Sequence, residues 1–159
     1  MTTVYVWLPN TRKSLGHASM KIAGKLRNVV PGGSGKIFEN EGDQYYSETY
    51  ISWWPAGNLL GGDGVVHTYE EDISNAYEAR DPEFRVDVQT LDEEAMTTFW
   101  FRFKYKLPKP DWHVFKNCAT LVAHTLRAGG GPFYLGNNVT WTPAQVKAYA
   151  SQLAGGSKS

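Results

Sequence analysis

Residues Thr3 to Leu8 read as a strand: β-branched and aromatic side chains run without a break until Pro9-Asn10 stops them. From Gly16 to Ala23 the pattern alternates, with Ala18, Met20 and Ile22 on one face and His17, Ser19 and Lys21 on the other. Tyr45 to Trp54 predicts a third strand, closed by Pro55, which cannot donate to a ladder. Phe84 to Val88 predicts a fourth. Between the third and fourth strands lies an excursion over 56–83, rich in Gly, Asn and Asp with a weak apolar pattern. Excursions of that length tend to be functional or mobile.

The period then changes from two to 3.6. Thr90 with Glu93 three residues later predicts a capping box, opening a helix on which Ala95, Met96, Phe99, Trp100 and Phe103 share a face. After the break LPKPDW, a second helix starts near Asn117 and ends at Gly129-Gly130-Gly131. A third opens at Thr142-Pro143-Ala144-Gln145, an N-cap followed by proline at the first helical position and a box glutamine. Strands first and helices second predict an α+β fold, an antiparallel sheet of N-terminal strands packed on C-terminal helices. One domain over 1–154 and a flexible tail over 155–159 are expected.

Composition narrows the classes. Of 159 residues, 42 % are hydrophobic and 20 % charged, enough for a real core. Sixteen bases balance sixteen acids, which argues against a dedicated nucleic-acid or anionic-membrane binder. The balance is not local. Residues 1–38 hold six bases and no acid, 39–94 hold fifteen of the acids, and from 95 onward eight bases face Asp111 alone. The acidic middle would steer a cationic substrate or a basic inhibitor protein, with Glu70, Glu71 and Asp72 at the rim of a cleft. No apolar run reaches the ~18 residues of a membrane span. MTTVYVWLP has neither the basic region nor the cleavage site of a signal peptide, so none is expected.

The single cysteine excludes an internal disulfide and multi-cysteine zinc sites, and no metal or cofactor is expected. Cys118 follows Asn117 at a helix start, where unpaired N–H groups and the helix dipole favour an anion and make a thiolate nucleophile accessible. On the same helical face as Leu121, Val122 and Thr125, it could equally be a small core residue. His17, at the start of its strand, is the candidate partner in a cysteine–histidine pair; an exposed strand histidine is the competing reading. His124 lies about 240° round the helix from Cys118. His67 sits in the acidic excursion without a patterned neighbour. His113, five residues before Cys118, could donate near an oxyanion or be a plain loop residue.

GHASMKI, then a strand, then NCATLVAHTLRAGG resembles the circularly permuted papain-like cysteine hydrolases of NlpC type, which include lecithin:retinol acyltransferase-like enzymes. In that group the histidine strand comes first and the cysteine helix late, as here. The resemblance implies Cys118 as nucleophile and His17 as general base. It also implies a polar residue on the next strand to orient the histidine: Ser52 in YISWWP first, Glu48 second. The backbone N–H of Cys118, with His113 or Asn117, would stabilise the oxyanion. The implied function is a cysteine hydrolase cutting an amide in a peptide, in peptidoglycan or in a protein. The associated setting is a bacterial toxin or effector, delivered into a target cell by a secretion system and held in check by an immunity protein. Two rivals remain. One is acyl transfer involving a lipid or a lysine, which an apolar trough near Trp53 and Trp54 would favour; the other is a non-catalytic binding module.

Three motifs are set aside. GGSGK at 32–36 lacks the residues that complete a phosphate loop, and Asn138-Val139-Thr140 matters as a sequon only on a secretory route. The histidines and the cysteine have no metal-like spacing.

Overall fold

The first two strands meet across the turn at Gly16, which takes a left-handed φ of +77°. A Cβ there would come within 2.7 Å of the Trp7 carbonyl, so only glycine lets the chain turn this tightly and start the second strand at His17. The structure is a computed structural model that describes residues 1–10, 15–26, 45–46, 48–57, 61–74, 79–112, 117–132 and 141–155. In chain order its elements are β1 (Thr2–Trp7), β2 (His17–Ile22), β3 (Lys25–Leu26), β4 (Tyr45–Tyr46), β5 (Thr49–Ile51), β6 (Trp53–Pro55) and β7 (Gly62–Val66). They continue as α1 (Tyr69–Ser74), β8 (Phe84–Val88), α2 (Glu93–Lys104), β9 (Asp111–Trp112), α3 (Cys118–Ala128) and α4 (Pro143–Ala154). The fold is α+β. Among the described residues no helix is long and apolar enough to cross a membrane.

The main sheet has the order β5-β2-β1-β8, antiparallel throughout, with Val4 opposite both Met20 and Val86. One face of β1 and β2 carries Val4, Val6, Ala18, Met20 and Ile22, all fully buried. α3 packs on β2 and α4 on β1 and β8, so Leu121, Val122, Leu126, Val146 and Tyr149 complete that core. β1 is buried along its whole length because its other face is covered too: Thr3 is bonded to Asp87, and Tyr5 packs on Tyr50 and Tyr69.

Two expectations need correction. The single strand over Tyr45–Trp54 is broken. β5 pairs with β2, whereas β6 pairs with β7 in a second sheet of order β6-β7-β9, and Ser52 is the residue between them. β5 and β6 lie in different sheets, so the chain changes sheets at Ser52. The cap of α2 is Asp92, whose Oδ1 accepts from Ala95 N at 3.0 Å, and not Thr90; an aspartate one residue before the helix outcompetes a threonine further back. The caps at Asn117 and Thr142 form, each as a reciprocal capping box. GGSGK, the sequon Asn138-Val139-Thr140 and the tail beyond Gly155 lie outside the described residues.

β7 lies against β6 closely enough that a Cβ on Gly64 would land inside the Trp53 indole. Gly64→Ala must push Trp53 aside. Overpacking of that kind costs about 1–3 kcal/mol. Thermal melting should show the loss, and an unchanged melting temperature would place Trp53 elsewhere.

Candidate active site

β5 pairs only with the Met20–Ile22 half of β2. The His17 end therefore has no strand beside it on that flank, and the polypeptide leaving β5 fills the space. Ser52 Oγ comes within 2.9 Å of His17 Nε2. Trp54 stacks on the imidazole, ring centroids 4.2 Å apart and planes 23° from parallel. Trp7, opposite His17 in the β1–β2 register, closes the other side at 5.2 Å. His17 is completely buried, so the exposed-histidine alternative fails.

The second partner of Nε2 is Asp72 on α1, its Oδ2 at 3.2 Å. Asp72 is fully buried, the only buried carboxylate among the described residues. Its oxygens are well supplied with donors. The Trp54 indole N–H donates to Oδ1 at 2.7 Å, and the Tyr50 hydroxyl donates to Oδ2 at 2.6 Å. His67 Nδ1 lies 3.4 Å from Oδ1 without the alignment of a hydrogen bond. Tyr50 is itself paired with Ser19 Oγ at 2.6 Å.

Sequence reasoning missed this aspartate and took it for one of a run of solvated acids at a cleft rim. That placement is wrong for Asp72. The available signal was Thr68 with Glu71, which form a capping box over the start of α1 (Thr68 N to Glu71 Oε1 3.0 Å, Glu71 N to Thr68 Oγ1 3.2 Å). Read as a helix start, it puts Tyr69 and Asp72 three residues apart on one face, and that face turns inward. His67, dismissed from sequence, sits beside the same carboxylate.

The electrostatics follow from burial opposed by partners. Burial disfavours a charge on His17, but negative charge on Cys118 and hydrogen bonding with Asp72 and Cys118 outweigh it, and His17 is raised from 6.5 to about 9. For Asp72, burial pushes the carboxyl up; the hydrogen bond from His17, the close approach of His67 and the charge on His17 overcome that and hold it well below the usual range. Burial and the Asp72 charge drive the Tyr50 hydroxyl far above its ordinary value, so it remains a donor. With Nε2–H directed at Asp72 and Ser52, Nδ1 is the nitrogen available to the thiol. It has no other hydrogen-bond partner among the described residues.

Cys118 is the first residue of α3 and is buried, 7 % exposed. Asn117 Oδ1 caps the helix, accepting from Ala119 N at 3.0 Å and Thr120 N at 3.3 Å. Its carbonyl is thereby committed to structure. As the first residue of α3, Cys118 presents a backbone N–H that has no intrahelical acceptor, the candidate oxyanion donor. His113 lies outside the described residues. Glu48 is exposed and 3.7 Å from Lys21, away from His17, which removes the second choice for the orienting role. His124 is exposed on the outer face of α3.

Beside the first turn of α3, a groove of about 320 Å³ opens between α2 and β6, its apolar walls formed by Trp53, Phe99, Phe103 and Leu121.

Comparison with known proteins adds the lineage. The profile of the family described as the IcsB middle domain matches residues 1–67 and 65–157. Over 56 residues, 35 % of the chain, it is 34 % identical to a multifunctional-autoprocessing repeats-in-toxin protein of Vibrio cholerae, and equally to one of Vibrio vulnificus. It spans about 1 % of the length of those curated relatives. No solved structure gives a significant match.

The paired shifts set a pH window for stability. Because His17 is raised on folding, its contribution is complete below 6.5 and is lost as pH rises through about 9. Because Asp72 is lowered, its contribution is present above 3.8 and is lost as pH falls below it. Melting temperature should therefore be flat between these limits and fall on both sides. Cys118→Ala removes a partner that raises His17, so NMR titration should find His17 shifted down from the wild-type value. An unmoved titration would show that the thiol and imidazole do not interact.

Proposed function

This chain belongs to the IcsB middle domain family, and we propose that its scaffold carries a cysteine-dependent acyl-transfer enzyme, a domain of a bacterial toxin or effector. The observation that carries the reading is the division of labour on His17: Nε2 is held by the buried Asp72 and by Ser52, which leaves Nδ1 for Cys118. Orienting one ring nitrogen so that the other serves a nucleophile is what thiol and hydroxyl acyl-transfer sites require.

The steps balance within these residues. The Cys118 thiolate attacks the donor carbonyl, and a C–S bond forms while the carbonyl oxygen takes the negative charge. The Cys118 N–H stabilises that oxyanion. On collapse the bond to the leaving group breaks, and the leaving group receives the proton from His17. The thioester is then attacked by an acceptor that gives its proton to His17, the C–S bond breaks, and the thiolate is restored. Asp72 holds the imidazolium in place through both steps and does not itself take the proton.

The groove favours an acyltransferase. Trp53, Phe99, Phe103 and Leu121 form an apolar channel at the first turn of the cysteine helix, suited to the chain of an acyl donor. The acceptor would then be an amine such as a lysine. Hydrolysis of an amide in a protein or in peptidoglycan is the second reading, favoured by the likeness to permuted papain-like enzymes. Similarity to toxins of two Vibrio species supports delivery into a target cell and, with it, an inhibitor protein in the producer.

Incubation with a long-chain acyl thioester and a lysine-containing protein should yield an acylated acceptor, read as a mass increase on intact protein. Cys118→Ala and His17→Ala should each abolish it, with the double variant little worse than either. Asp72→Asn should cost more than Ser52→Ala, roughly 10³-fold against roughly 10- to 100-fold, because a charge lost beside an imidazolium outweighs a neutral hydrogen bond. Peptide fragments without acyl transfer would establish the hydrolase instead. Full activity in Cys118→Ala would end both readings.

A further inference from the structure

The last turn of α2 and the loop after it leave apolar side chains in water. Leu107 is 84 % exposed, Tyr105 68 % and Phe101 41 %, the last two stacked with planes 15° apart. Across from them on β7, Val65 and Val66 are exposed at 39 % and 38 %. Soluble domains seldom leave such residues clustered without a use. Cations are interleaved with them: Arg102, Lys104, Lys106 and Lys109, all exposed, with no acid between Glu94 and Asp111.

Most of these residues meet at two adjoining grooves, with Phe101 joined to them through its stacking on Tyr105 and Leu107 next to Lys106 in the chain. Lys104, Tyr105 and Lys109 line a second groove, of about 340 Å³, together with Val65 and Val66. That groove shares Trp53 and Phe103 with the first, whose walls include Arg102 and Lys106. At the border, Asp63 and Asp111 face each other across β7 and β9, too few to cancel the four cations. The zero net charge of the whole chain hides this local excess.

We propose that this patch is a docking surface for an anionic lipid bilayer. The occupant follows from charge and polarity together. Cations on long stems reach lipid phosphates and carboxylates, while Leu107, Tyr105 and Phe101 enter the boundary between headgroups and acyl chains. A nucleic acid or an acidic protein would answer the cations but gives no reason for an almost fully exposed leucine at the tip. Docked this way, the apolar groove beside α3 opens toward the bilayer. The surface borders the proposed acyl-donor groove through Trp53 and Phe103, but its exposed cations and apolar side chains are observed independently of the acyl-transfer reading, and vesicle binding is measured without any acyl donor.

The test is co-sedimentation of the full chain with vesicles of phosphatidylcholine alone and with roughly 30 % phosphatidylserine, over a salt series. Binding should require phosphatidylserine and weaken as salt rises from ~0.1 to ~1 M. Lys104→Gln with Lys106→Gln should reduce it roughly 30-fold. Tyr105→Ser with Leu107→Ser should reduce it roughly tenfold or more without altering the charge. All four positions are exposed, and circular dichroism should show the variants folded. A short DNA duplex and heparin serve as competing polyanions. No binding to phosphatidylserine vesicles, equal binding to neutral ones, or binding untouched by the Tyr105/Leu107 variant would overturn the proposal. So would affinity for the soluble polyanions as high as for the vesicles, which would assign the patch to a polyanionic partner instead.

Discussion

A carboxylate without water must be matched by donors, and Asp72 is a carboxylate without water. Leaving it unpaired would cost several kcal/mol, more than most single packing interactions in a domain supply. Its neighbours show how the cost is met. Trp54 comes from β6, Tyr50 from β5, His17 from β2 and His67 from just after β7, and all converge on two oxygens. Four segments distant in sequence are thereby held in one geometry. The sheet switch at Ser52 belongs to the same solution, because a strand continuing straight through could not deliver both Tyr50 and Trp54 to the carboxylate.

That constraint decides how the histidine is presented. Trp54 both stacks on His17 and donates to Asp72, so the imidazole and the carboxylate are fastened by a single side chain. The imidazole cannot rotate without breaking aromatic contact on both sides, with Trp54 and with Trp7. The cysteine side is organised separately. α3 is fixed by the Asn117 capping box at its first turn and by the core contacts of Leu121, Val122 and Leu126 behind it. Cys118 rides on a helix packed against the sheet, His17 on the sheet itself, and the packing of α3 on β2 is what joins them.

On the outside, the molecule separates its charges and its apolar surface. The acids of 39–94 are divided between the buried Asp72 and exposed positions such as Glu70 and Glu71, so they do not act as one block. The bases after residue 95 are gathered instead, because four of them fall on the end of α2 and the loop that follows it. Two grooves meet at Trp53 and Phe103, one lying toward the cysteine helix and one toward the exposed aromatic tip.

What the sequence determined alone is whatever depends on near neighbours in the chain. The alternation of GHASMKI built β2, and the Asn117 and Thr142 boxes opened α3 and α4, because capping is settled within four residues. Cys118 and His17 stood out as candidates for the same reason, each marked by its own local setting, and the strands-then-helices order carried the fold class. The break at Ser52 was not legible, since YISWWP reads as one strand until it is known that two sheets compete for it. Asp72 was hidden for a deeper reason. An aspartate within HTYEED looks solvated, and nothing local distinguishes it from Glu70 or Glu71. Only the folded chain, by closing α1 over Tyr50, Trp54 and His17, removes its water and turns one acid among fifteen into the buried partner of the histidine.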